Sequence, residues 1–241
     1  MMLFYKAWRE SKSKFLIGVL ALAGYCALTI WLPPSGMQPS AFEGYVNLQV
    51  FSGTANLFFV LLIIFLGVGG MLRERAHHTA VFTLALPVSR VQVVGAHFAV
   101  GLGELAVLAF VPLWVILPLF AMLGQSYPLE EALRYSFLRF VCGTFIFALS
   151  FFLSVVSKWE YTAPVACFMV LIFQTRIAWW SRLHFYGGLV LNPLGTIGGR
   201  WLDLSNNSIY DPLPWRGLLV MALASLALFA AASRITQSQS L

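Results

Sequence analysis

The chain has 241 residues, of which 60% are hydrophobic and 10% are charged, and its mean hydropathy is +0.83. A soluble domain normally carries about a quarter charged residues, so this composition excludes one and predicts an integral membrane protein. The net charge of +6 does not indicate nucleic-acid binding, because the basic residues lie at the ends of apolar runs and form no continuous patch.

The amino-terminal segment, MMLFYKAWRESKSK, places apolar side chains on one helical face and charged side chains on the other. We predict an interfacial helix over 1–14, with Phe4 and Trp8 on the lipid side and Arg9 on the water side. A basic anchor that only sets the orientation of the chain in the membrane would have the same charges, so this alternative stays open.

Apolar runs long enough to cross a bilayer follow, since a membrane span needs about 20 helical residues. The predicted spans are 15–32, 55–72, 91–123, 136–156, 161–178 and 215–232. They predict an all-α integral membrane fold with six transmembrane helices in a single domain over 1–241. Basic residues are denser in the short segments on one side, so the positive-inside rule predicts that both termini are cytoplasmic.

The segment between the second and third runs, RERAHHTAVFTLALPVSR, is charged at its ends and apolar in its middle. Residues 74–86 can form about three turns of helix, which Pro87 would end. Ser89 and Gln92 then offer a capping box for the helix that enters the membrane. The pattern predicts a short helix on the cytoplasmic membrane surface, where a protein outside the membrane can bind it.

The third run contains Glu104, an acid whose burial at mid-membrane would cost about 2.5 to 3.5 kcal/mol. His97 lies two helical turns earlier on the same face, with Gly101 between them. This face is predicted to line a polar cavity or to couple movement of the preceding loop to the spans. The alternative is that the span begins in the cytoplasm and leaves Glu104 near the lipid headgroups.

Another face of the same run carries small residues at every fourth position: Gly95, Ala99 and Gly103. Small residues at this spacing let two membrane helices approach closely. The stripe therefore predicts helix packing, either within the chain or between two copies.

Residues 179–214, between the fifth and sixth runs, are rich in tryptophan and glycine. This outer segment is too apolar for a free loop, and its apolar pieces are too short to cross a bilayer. We predict short re-entrant or outer helices, with aromatic side chains at headgroup depth.

Motifs of the common catalytic and nucleotide sites are absent from the sequence. It contains no G-x-x-x-x-G-K-[ST] loop, so the chain cannot bind ATP by that route, and it contains no H-E-x-x-H or G-x-S-x-G motif. His77 and His78 are adjacent and point about 100° apart on a helix, which makes them a poor pair of ligands for one metal ion. We predict no metal site and no catalytic residue.

Taken together, these residues resemble the type-2 ABC transporter permeases, the membrane subunits of exporters with a six-span fold. Glu74, Thr79 and the run Leu86-Pro87-Val88-Ser89-Arg90 are similar to that family's cytoplasmic motif, and the leader FYKAWRE is similar to its amphipathic first helix. The sequence departs from the family at His78, where a glycine is usual, and at His97, where a lysine is common.

The resemblance implies that 74–86 is a coupling helix that docks on a separate ABC ATPase subunit. The residues it implies for this contact are Glu74, Thr79, Leu86, Pro87, Ser89 and Arg90. It also implies no cofactor on this chain, with ATP and Mg on the partner ATPase. The further partners are a second permease copy or a homologous permease, and membrane lipid. The implied location is the inner cell membrane of a bacterium, and 179–214 would serve as an outer gate.

Two other function classes stay open on the sequence. One is an intramembrane lipid-modifying enzyme or a membrane assembly factor that uses Glu104 and His97. The other is a non-catalytic scaffold, for which substitution of Glu74 would change no ATP-dependent activity.

Overall fold

The computed structural model describes residues 2–34, 39–68, 90–157, 162–170, 202–203, 208–209 and 215–238. The helices in these ranges are α1 (Met2–Trp31), α2 (Pro39–Asn47), α3 (Thr54–Val68), α4 (Arg90–Met122), α5 (Leu129–Val156), α6 (162–170) and α7 (Trp215–Ser238). A π-helical segment, Leu48–Ser52, joins α2 to α3. Two short strands, β1 (Leu202–Asp203) and β2 (Ser208–Ile209), pair antiparallel with Leu202 opposite Ile209.

Within the described ranges, five helical stretches are long and apolar enough to cross a membrane. They are Leu3–Trp31, Phe42–Val68, Val91–Met122, Leu129–Val156 and Gly217–Gln237. The predicted fifth span, 161–178, is described only as α6, which is about 14 Å long at 1.5 Å per residue and too short to cross by itself. The count of six spans therefore stays a prediction.

The predicted interfacial helix and the first span form one continuous helix of 30 residues, α1. At 1.5 Å per residue this helix is about 45 Å long, which exceeds the hydrocarbon thickness of a bilayer by about 15 Å. The separate helix predicted over 1–14 is thus not seen as an element of its own. Its basic residues lie on the part of α1 that a single bilayer cannot cover.

Two of the predicted spans begin earlier in the structure than in the sequence analysis. The second, predicted to start at residue 55, continues α2 and the π-helical segment from Phe42. The fourth, predicted to start at residue 136, begins at Leu129. The charged first turn of α5 is stabilised by an ion pair in which Arg134 Nη2 lies 2.5 Å from Glu130 Oε1. Both helices extend beyond the apolar runs, and the membrane boundaries of these spans stay predictions.

The outer segment, 179–214, is described only at the four residues of the two strands. These residues are extended, so the short helices predicted for this segment are not confirmed.

Helix α5 is the centre of the described bundle, because it packs against α3, α4 and α7. Helix α1 lies along α4 and also contacts α3. The buried core between them is aliphatic and aromatic, and it includes Phe59, Ile63, Leu105, Ile146 and Phe147. These contacts join residues far apart in sequence and hold α1, α3, α4 and α5 as one packed unit.

Tyr127, in the connection between α4 and α5, donates a hydrogen bond from its hydroxyl to the amide oxygen of Asn47, and both side chains are buried. Burial, followed by the proximity of Glu131, Tyr135 and Glu43, raises the pKa of Tyr127. The phenol therefore keeps its proton at neutral pH and can donate it. The bond ties α2 to the turn before α5.

We expect Tyr127→Phe to lower the free energy of unfolding by about 1 to 3 kcal/mol, because the buried amide oxygen of Asn47 loses its donor. Chemical denaturation in detergent micelles measures this difference. Tyr5→Phe, at an exposed tyrosine of α1, is the matched control and should leave the stability unchanged. Equal stability of both variants would contradict the structural role assigned to the Tyr127 hydroxyl.

Candidate functional site

Glu104 lies in α4 with its carboxyl group enclosed by protein, since the residue is only 3% exposed. Ser11, on α1, donates a hydrogen bond to Glu104 Oε1. The Ser11 hydroxyl is also 3.1 Å from the carbonyl oxygen of Ala7, one turn earlier in α1. A carboxyl group buried among helices is stabilised by such a partner. The bond joins the amino-terminal part of α1 directly to α4.

A cavity of about 30 Å³ surrounds this bond, which is room for a water molecule or two. Its polar lining includes Ser11, Lys14, His97 and Glu104, and Gly101 also contributes. The structure therefore brings together the three residues that the sequence placed on one face of the third span. The role predicted for Glu104 and His97, in a polar cavity or in coupling the loop to the spans, stays a prediction, as does the depth of Glu104 in the membrane.

The cavity touches both helices that flank residues 69–89. Gly67, next to the last residue of α3, lines it, and so does His97, in the second turn of α4. From Arg90 to His97 the helix rises only about 10 Å. A displacement of the loop between α3 and α4 would thus reach the walls of this cavity within two turns of helix.

Two glycines permit the close helix contacts around the cavity. A Cβ atom at Gly67 would lie 2.8 Å from Ser150 Cβ and 3.1 Å from the carbonyl oxygen of Phe147, both on α5. A Cβ atom at Gly101 would overlap the ring of Phe147. Real Cβ atoms do not approach other atoms so closely. A side chain at Gly67 would push α3 away from α5, whereas a side chain at Gly101 would displace the ring of Phe147.

The predicted residues of the coupling helix, Glu74, Thr79, Leu86, Pro87 and Ser89, lie outside the described residues, as does the whole range 74–86. Arg90 is the first residue of α4, and only its backbone is described. Their roles therefore stay predictions.

The amino-terminal residues predicted to contact the interface are exposed on α1. Phe4 is 52% exposed and Trp8 is 39% exposed, and the Trp8 ring packs on Phe15 with 5.5 Å between ring centres. Arg9 is exposed as well. Ala7 is instead buried toward the bundle. The protein-facing side of this segment is thus formed by Ala7, which the amphipathic pattern places on the apolar face, and by Ser11, which that pattern did not single out.

A second buried charge, Arg139, was not recognised from the sequence as a site residue. The structure buries it inside α5 with 6% exposed. A cation within a membrane span costs about 2.5 to 3.5 kcal/mol on insertion scales. The available signal was its position inside the span predicted over 136–156. Within the described ranges, no three histidine, cysteine or acidic residues are close enough to hold a metal ion.

The described chain has several apolar helices of membrane-spanning length, and they pack around a polar cavity and two buried charged residues. These features define a multi-pass membrane protein. A family model described as ABC-2 family transporter protein matches residues 4–175, well over half of the chain. The chain belongs to this family of ABC transporter permeases and is a transport subunit of the membrane. No curated protein matches the chain.

The matched residues, 4–175, include the loop between α3 and α4 and the residues that line the cavity at Glu104. They also include Arg139. The family match identifies a transport subunit rather than an enzyme. The alternative of a lipid-modifying enzyme or an assembly factor using Glu104 and His97 gains no support from it.

Proposed function

We propose that this chain is the permease subunit of an ATP-driven exporter and that a separate ABC ATPase subunit, holding ATP and Mg²⁺, drives it through residues 74–86. The observation that carries the proposal is the bond between Ser11 and Glu104 beside a cavity that both loop-flanking helices line. A force applied to the loop would act on α3 and α4 directly and on α1 through the bond between Ser11 and Glu104. The family match to residues 4–175 supports the same class of function.

In the proposed mechanism, closure of the ATPase subunits pulls on the loop and tilts α3 and α4. Because α1 is bonded to α4 at Glu104, the amino-terminal part of α1 moves with them. ATP can shift the permease between two states only if the ATPase contacts them differently. The loop is the segment where such contacts would change, and Glu74, Thr79, Leu86, Pro87, Ser89 and Arg90 are the residues we assign to them.

The transporter is proposed to contain a second copy of this chain or a homologous permease. The stripe of Gly95, Ala99 and Gly103 supports this arrangement. No described atom lies within 4 Å of a Cβ placed at Gly95 or Gly103, so the described helices do not use the stripe for packing. A helix of another subunit can approach it closely.

The proposed orientation places both termini in the cytoplasm of a bacterial cell, with the chain in the inner membrane. The density of basic residues near the amino terminus and in the loop after α3 supports it. Residues 179–214 then lie outside, where they would gate the exit of the transported substance.

Retention of an ATPase subunit tests the proposal. The full chain is affinity-purified from its native membrane in mild detergent, and the MgATP hydrolysis that co-purifies with it is measured. We expect Glu74→Ala to lower this activity by about tenfold, within the usual range of coupling energies. Glu43→Ala, which removes an acid predicted on the opposite side, is the matched control and should retain the activity of the unmodified chain.

Two results would reject the proposed function. One is that no ATPase subunit accompanies the unmodified chain. The other is that the ATPase activity recovered with Glu74→Ala equals that recovered with Glu43→Ala.

A further inference from the structure

Arg139 is a buried cation that no carboxylate among the described residues neutralises. Its Nη2 donates one hydrogen bond, to the carbonyl oxygen of Ala55 at 3.0 Å. Its Nε and Nη1 are buried and have no hydrogen-bond partner within the described part of the chain. Most of the hydrogen-bonding capacity of the guanidinium is therefore unused.

Aromatic rings cover the guanidinium but cannot satisfy these N–H groups. The guanidinium carbon lies 4.3 Å from the ring centre of Phe59 and 5.9 Å from that of Phe51. Rings attract the cation through their faces, whereas the N–H bonds lie in the guanidinium plane and need acceptor atoms at its edges. The rings lower the free-energy cost of burying the charge, but they provide no acceptors for Nε and Nη1.

Ser136, one turn earlier than Arg139 on α5, is fully buried, and its hydroxyl has no partner among the described residues. Buried polar groups without partners are rare in folded proteins and require an explanation. An anion with several oxygen atoms would supply acceptors for Arg139 and for the Ser136 hydroxyl on the same helix.

The helix that supplies the acceptor for Arg139 is preceded by an irregular segment. The span Phe42–Val68 contains the π-helical segment Leu48–Ser52, and Ala55, the acceptor for Arg139, follows closely after it. Such breaks occur where the backbone lines a site or is buried in protein, and π-helical turns are frequent at functional sites. Phe51, one of the two covering rings, belongs to this segment, whereas Phe59 lies in α3.

We propose that Arg139, with Ser136, binds an anionic phosphate group that enters beside the π-helical segment. The phosphate is carried by a lipid headgroup or is free in solution. It accepts hydrogen bonds from Nε and Nη1 and compensates the charge. Phosphate binding is measured without ATP. A negative result would therefore reject this site without rejecting the proposed coupling to an ATPase, and the reverse also holds.

The full chain, purified in dodecyl maltoside micelles that contain no phosphate group, tests the site by the midpoint of thermal unfolding. One arm adds phosphatidylglycerol stepwise to the micelles, and the other adds inorganic phosphate at constant ionic strength. We expect a saturable rise of the midpoint in at least one arm, because a ligand that binds only the folded state stabilises it. In Arg139→Gln the half-saturating amount should increase by about tenfold or more, since charge-assisted hydrogen bonds are lost.

Arg134→Gln, on the same helix but paired with Glu130, is the matched control and should respond as the unmodified chain does. If Arg139→Gln does not fold, Arg139→Lys and Ser136→Ala replace it, and each should shift the half-saturating amount to a smaller degree. A response to phosphatidylglycerol alone assigns the phosphate to a lipid, and a response to inorganic phosphate assigns it to a free anion. The proposal is overturned if neither probe gives a saturable rise, or if the Arg139 and Ser136 variants respond like the control.

Discussion

Substituting Ser11 and Glu104 together will cost less stability than the sum of the two single substitutions. Ser11→Ala leaves a buried carboxyl group without its donor, which we expect to lower the free energy of unfolding by about 1 to 3 kcal/mol. Glu104→Ala removes the acceptor and enlarges the cavity. Once either side chain is gone, removal of the other breaks no further bond between α1 and α4.

A double-mutant cycle measures this interaction, with unfolding followed in detergent micelles. We expect a coupling energy of about 0.5 to 3 kcal/mol, the range found for residues in direct contact. Ser13→Ala, at an exposed serine two positions along α1, is the control and should change stability by no more than about 0.5 kcal/mol. Additive single effects would show that the bond does not hold α1 to α4.

Gly67→Ala will destabilise the bundle by about 1 to 3 kcal/mol, and Gly67→Val by more, because no room exists for a side chain between α3 and α5. The added Cβ would meet both the side chain of Ser150 and the backbone of Phe147, so the helices themselves must separate. Their separation would also stretch the 2.8 Å hydrogen bond from the Ser150 hydroxyl to the carbonyl oxygen of Ile64.

The midpoint of thermal unfolding in detergent reports this effect. Gly24→Ala is the matched control, since no described atom lies within 4 Å of a Cβ at Gly24. It should be neutral or slightly stabilising, because alanine favours a helix over glycine by about 1 kcal/mol. If Gly67→Ala and Gly24→Ala unfold at the same temperature, the close contact of α3 with α5 is not required for stability.

Much of the transmembrane architecture could be predicted because it depends on local composition. The third span was predicted over 91–123, and α4 runs Arg90–Met122. Helix length and apolar content set such a boundary without any partner. The described helices extend beyond the predicted spans at the first turn of α5 and around Asn47, where polar residues are helical. The ion pair of Arg134 with Glu130 and the hydrogen bond of Tyr127 with Asn47 lie at these two places.

The candidate site was predictable only in part. The spacing of His97, Gly101 and Glu104 placed them on one face of a helix, and they line one cavity. Ser11 was not identified, because its partner is 93 residues away in sequence and a serine in an amphipathic segment carries no signal of its own. Arg139 was not identified as a buried charge, because a count of charges contains no information about burial.

The sequence by itself determined that this is a membrane protein and where most of its apolar helices lie, because the free energy of transferring a helix into a bilayer is nearly a sum over its own residues. The tertiary structure alone decided which side of each helix faces the bundle. It brought Ser11 to Glu104, left no space beside Gly67 and enclosed Arg139. Those outcomes depend on contacts between distant helices, and packing of this kind cannot be read from any one segment.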